Sequence, residues 1–138
     1  MTALLKQRTV RVKKAEGMDF PVAQDEVILK GAYVVLNAGY LENATAAASL
    51  TPLGRASVDV NNDGGGDGDV TCHVDFMKEK TLFPFIGKDG EFNQSDMGGP
   101  AYLEDNQTVT TTNTTRTSAG TALKIETANS IQTVWVEV

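Results

Sequence analysis

Apolar residues recur at every second position along most of this chain. That spacing fits a half-buried β-strand, because successive side chains leave a strand on opposite faces. VTCHVDFM (Val70–Met77) is the clearest instance, with Val70, Cys72, Val74 and Phe76 inward and Thr71, His73 and Asp75 outward. TVRVK (Thr9–Lys13) puts Val10 and Val12 on one face, and RASVDV (Arg55–Val60) does the same with Ala56, Val58 and Val60. VILKGAYVVLNAGY (Val27–Tyr40) reads as two short apolar strands. They are broken near Gly31 and turned at Asn37–Gly39, where residues tolerate positive φ. PAYLED (Pro100–Asp105) and TVTTT (Thr108–Thr112) read as further strands, and TALKIET with QTVWVEV as a hairpin across Ala128–Ile131. TLFPFIG is apolar but contains Pro84, which lacks a ladder N–H; its strand is expected at an edge or a bulge.

Helix is scarce. EFNQSDMG (Glu91–Gly98) suits one helical turn capped by Asn93 or Ser95. ENATAAASL (Glu42–Leu50) has helix-friendly alanines, but Thr45, Ser49 and Pro52 favour a loop equally. The threonine-rich stretch Thr108–Ser118 reads as a strand with a polar loop, or as a mobile surface segment. Short strands separated by frequent turn signals predict a mainly β fold, a small β-barrel or β-sandwich with at most short helices. With 138 residues, 41% of them apolar, the chain suits one domain with a modest core. The expected organisation is an extended basic N-terminal arm over residues 1–14 and a single β-rich body over residues 15–138.

Charge separates those two parts. Residues 1–14 carry Lys6, Arg8, Arg11, Lys13 and Lys14 and no acid, whereas the other 124 residues hold 7 basic and 18 acidic side chains, a net −11. The net charge of the whole chain, −6, argues against broad nucleic-acid binding. The arm is either a solvated terminus or a basic segment that reaches an acidic partner. The N-terminus lacks the apolar run of a signal peptide, and no stretch is long enough for a membrane span, so a cytoplasmic site of synthesis is expected. Sequons begin at Asn43, Asn93, Asn106 and Asn113 and carry no weight without a secretion signal.

Residues for covalent or metal chemistry are few. The only histidine, His73, follows the only cysteine, Cys72. Adjacent strand residues face opposite ways, so they are not expected to meet as a dyad. One Cys and one His are too few for zinc, and no phosphate-binding loop occurs. The chain is read as a non-enzyme that needs no cofactor. NNDGGGDGD (Asn61–Asp69) raises the question of calcium. Asp59, Asn61, Asp63 and Gly64 match the opening of an EF-hand loop, and Asp67 falls at its ninth position. The twelfth position, where a bidentate Glu belongs, is Val70, and both flanks alternate as strands. The segment is therefore expected to be a flexible, solvated hairpin loop. A weak cation site on Asp59, Asn61, Asp63 and Asp67 is the lesser alternative.

Several segments together resemble the capsid cement, or head decoration, proteins of tailed bacteriophages and prophages. They are MTALLKQRT at the arm, LKGAYVVLNAGYLENA, LTPLGRASVDVNNDGGGDGDVTCHVDF, DMGGPAYLEDNQTVT and the closing VWVEV. The likeness spans nearly the whole chain; PFIG and Thr108–Ser118 depart from it. It implies a structural protein on the virion exterior, bound to the phage major capsid protein and self-associating as a trimer in preference to a dimer. Leu4, Leu5, Arg8, Val10, Arg11, Lys13 and Lys14 of the arm are the expected capsid-binding residues. An alternative from a different class is a small β-sandwich module that binds a sugar or host surface and uses the weak cation site.

Overall fold

The computed structural model describes residues 6–7, 16–77 and 81–138. Twelve strands are formed among them: β1 (Gly17–Pro21), β2 (Val27–Ile28), β3 (Tyr33–Asn37), β4 (Tyr40–Asn43), β5 (Thr51–Ala56), β6 (Val60–Asn61), β7 (Thr71–Phe76), β8 (Leu82–Gly87), β9 (Pro100–Leu103), β10 (Thr108–Thr110), β11 (Ser118–Ala128) and β12 (Ile131–Glu137). The fold is mainly β, as the period-two spacing requires. Among the described residues, helix is confined to two 3-10 turns, Lys88–Gly90 and Gln94–Asp96. The second follows Asn93, one of the two residues expected as its cap, and Asp96 Oδ2 accepts the Asn93 N–H at 2.8 Å.

The strands form two main layers and one short ribbon. In the C-terminal half, β10-β8-β12-β11-β9 close into a barrel. In the N-terminal half, β1-β7-β5-β3-β4 form an antiparallel sheet. Its two outer strands approach each other at a parallel bridge between Val22 and Leu41, where Ala23 N donates to Leu41 O at 2.9 Å. β2 and β6 form a two-residue ribbon. Two hairpins turn where the sequence indicated. Ala38 (φ 51°) with Gly39 (φ 89°) joins β3 to β4, and Asn129 (φ 51°) with Ser130 (φ 64°) joins β11 to β12. Two central residues at positive φ match the twist of the strands they connect.

β3 explains why AYVVL is an unbroken apolar run. Tyr33, Val34 and Val35 are all buried, because the strand lies between two cores. Val34 faces Val22, Ile28, Leu41, Cys72 and Val74. Tyr33 and Val35 face the barrel, among Phe83, Phe85, Leu103 and Val134. The Tyr33 ring lies 5.3 Å from Phe83 and 5.2 Å from Phe85, centroid to centroid, and burial pushes the pKa of its hydroxyl up to about 12. Polar contacts cross the same seam. Tyr33 N donates to Asn106 O at 2.9 Å, and Asn106 Nδ2 donates to Asn43 Oδ1 at 2.8 Å.

Two expectations need correction. Arg55–Val60 is not one strand: β5 ends at Ala56, Val58 is exposed, and Val60 belongs to β6, which pairs with β2. Short-range alternation cannot reveal that a chain changes partner mid-run. Similarly, the strand containing Pro84 is not an edge along its whole length, since β8 lies between β12 and β10. However, β10 pairs only at Ile86 and Gly87. Ile86 N donates to Gln107 O on that side, so Pro84, two residues earlier, turns its nitrogen to the same side beyond the end of β10. The other three prolines follow this rule. Pro21, Pro52 and Pro100 each sit in a strand at a position with a ladder partner on one side only among the described residues. Each proline removes a donor that an open edge would otherwise expose.

The barrel also needs one residue without a side chain. β11 is bulged on either side of Gly120, which has φ 144°, and a Cβ there would lie 2.0 Å from Glu137 O. Gly120→Ala is expected to lower stability by roughly 2–4 kcal/mol, from backbone strain plus overpacking. Urea unfolding checks this.

Candidate functional site

The Gly- and Asp-rich loop is solvated, as expected, with Asn61, Asp63, Gly64, Gly66, Asp67, Gly68 and Asp69 exposed, but it folds around one buried side chain and is held by hydrogen bonds. Asn62 is only 3% exposed and donates its Nδ2 hydrogens to Ala23 O at 2.8 Å and Gly66 O at 3.0 Å. Neighbouring oxygens cap backbone N–H groups. Asp59 Oδ1 accepts from Lys30 N at 2.7 Å, Asn61 Oδ1 from Asp63 N at 2.8 Å, Asp67 Oδ1 from Gln24 N at 2.8 Å, and Asp69 Oδ2 from Gly66 N at 2.8 Å. Asp25 Oδ1 reaches across to Gly64 N at 2.9 Å. Short Asx side chains are suited to this local backbone capping. The alternative cation ligands Asp59, Asn61 and Asp67 thus serve three separate backbone donors. Among the described residues, no three His, Cys, Asp or Glu side chains are grouped to hold a metal ion.

Cys72 and His73 lie on opposite faces of β7, as strand geometry demands. Cys72 is 1% exposed, and its Sγ lies 3.6 Å from the His73 carbonyl. Burial, then the nearby Asp19 charge, pushes the thiol pKa up, which makes it a poor nucleophile. The His73 ring is on the surface with Nδ1 2.8 Å from Asp19 Oδ1, and Nε2 3.8 Å from Asp75 Oδ1. Arg55 Nη2 contacts the other Asp75 oxygen at 3.3 Å. These side chains form a polar row across β1, β7 and β5.

The threonine-rich stretch is likewise held in place. Glu91 Oε1 accepts from the Thr110 hydroxyl and from Thr111 N. Thr117 Oγ1 donates to Ala47 O at 2.8 Å, which ties the stretch to the loop after β4. Arg116 and Lys88 both grip Glu104, at 2.9 and 3.0 Å. The Lys88 hydrogen bond leads in pulling the Glu104 carboxyl below its ordinary value, with Arg116 adding to it. A depressed acid stabilises the fold above its unfolded pKa, and that contribution is lost as pH falls through the folded value. Wild-type melting temperature should therefore fall more steeply than that of Glu104→Gln below about pH 4.5. Paired thermal melts across that range provide the check.

A concavity runs along the seam between the two layers. Three adjoining openings, of about 470, 600 and 350 Å³, all share Gly31. Lys30, Arg55 and Asp75 line the polar end; Phe76, Leu82 and Pro84 line the apolar end. Sequence reasoning missed this groove, since its walls come from widely separated segments. The only local hint was Gly31, where the apolar run breaks. The expected capsid-binding residues Leu4, Leu5, Arg8, Val10, Arg11, Lys13 and Lys14 lie outside the described residues. The described chain resumes at Glu16, whose carbonyl accepts from Phe76 N at 3.0 Å. No protein-family model matches the chain, and neither curated proteins nor solved structures give a significant match.

Proposed function

We propose that this chain is a non-enzymatic capsid cement protein. In this reading it binds the outside of an icosahedral phage head, most favourably as a trimer, and clamps neighbouring major capsid subunits against internal DNA pressure. The observation that carries the reading is the segregation of charge: five basic residues and no acid in residues 1–14, against a net −11 in the remainder. An acidic body repels packaged DNA and suits an exterior position. A basic, alternating arm suits strand addition to an acidic capsid edge, where backbone hydrogen bonds supply affinity and charge supplies steering. Repetition over a lattice then multiplies weak contacts. The fold is compatible with such a role. A buried thiol, carboxylates engaged in capping and proline-guarded strand edges leave a body with little tendency to react or polymerise. The reading is tested by heating DNA-filled expanded heads with and without the protein. Bound protein should raise the temperature of DNA release; an unchanged release temperature at saturating protein would refute it.

A further inference from the structure

The geometry points to a second contact site, independent of the arm: the groove at Gly31 binds a short extended polypeptide segment in which a carboxylate is followed by apolar side chains. Three features define that occupant. First, the polar end offers cations in an otherwise acidic body. Lys88, Arg116 and Lys124 are each paired with a glutamate, whereas the exposed Lys30 has no carboxylate partner among the described residues. Arg55 faces the same opening and gives one N–H to Asp75, so its remaining donors can meet a carboxylate. Among the described residues, Asp75 is the one acid lining this end, and the Arg55 contact offsets its charge; Asp59 lies nearby, its carboxylate accepting the Lys30 backbone N–H.

Second, the other end is apolar, with Phe76, Met77, Leu82, Phe83 and Pro84 on its walls. Third, one wall is a strand edge with no pairing partner among the described residues. The Ile86 N–H points to the β10 side, so the Leu82 N–H and C=O and the Pro84 C=O point that way too, past the end of β10. An extended segment gains backbone hydrogen bonds there, and Pro84 limits the ladder to a short stretch. A free anion would use the cations but not the apolar wall; a basic segment would meet Lys30 and Arg55 unfavourably.

The probe is the capped peptide acetyl-Thr-Val-Asp-Leu-Val-Thr-amide, compared with its counterpart carrying Lys in place of Asp. Both are titrated into the 15N-labelled full chain. The aspartate peptide should cause saturable amide shifts at Gly31, Arg55, Leu82 and Gln107, and the lysine peptide should not. Lys30→Glu should weaken the aspartate peptide roughly fivefold or more. Lys30 is exposed, so the variant should keep its fold, as its own spectrum will verify. Arg55→Gln gives a second variant that keeps a polar side chain. Equal shifts with both peptides, shifts centred elsewhere, no saturable shifts, or unchanged affinity in both variants would overturn the assignment. The result does not depend on whether the protein binds phage heads.

Discussion

Deleting residues 1–14 should reduce binding to expanded heads by at least roughly 100-fold while leaving the body folded. The expected size follows from what is removed. The truncated chain changes from a net −6 to −11, so it loses all electrostatic steering toward an acidic partner. It also loses Leu4, Leu5 and Val10 as anchors, and the backbone groups of an added strand. About 3 kcal/mol, less than two well-buried aliphatic anchors supply, already corresponds to more than roughly 100-fold. The folded body should be insensitive, because among the described residues both core clusters are built from residues after position 16. Cosedimentation with heads measures the loss, and thermal melting monitors the fold. Added salt should weaken full-length binding and have little further effect on the truncated chain. A truncated protein that binds as well as the full chain would remove the arm from the account.

Phe85→Ala should be the most damaging single core substitution, costing roughly 3–5 kcal/mol. Phe85 is fully buried, lies 4.5 Å from Phe83 and 5.2 Å from Tyr33 by ring centroid, and so joins the barrel to the N-terminal sheet. The cavity would open at the shared seam, not inside one layer. Both layers should therefore melt together, roughly 10–20 °C below the wild type. Circular dichroism and fluorescence from Trp135, on the barrel strand β12, should give coincident transitions. Separate transitions would show that the two layers are independent units.

Legibility in the sequence followed the range of the forces involved. β7, β3, β4 and the β11–β12 hairpin were readable because side-chain alternation and two-residue turns are local properties. So was the 3-10 turn after Asn93. The break at Ser57 was hidden, since β6 leaves the line of β5 to pair with β2, and pairing choice is not local. Asn62 was invisible for a similar reason: its bond to the distant Ala23 carbonyl, with that to Gly66, buries one side chain under an otherwise solvated loop. Pro84 was half legible. Its missing N–H forbids a ladder bond, but only the register shows that β10 ends short of it. The Lys30–Arg55 end of the groove is assembled by β5 pairing with both β3 and β7, and no sequence window contains it.

The most direct measurement is cosedimentation of the full-length protein with expanded heads and with unexpanded heads of the same phage. The capsid-cement account predicts saturable binding to expanded heads, in a fixed ratio to the major capsid protein, and little binding to unexpanded ones. No binding to either form, or equal binding to both without saturation, would contradict it.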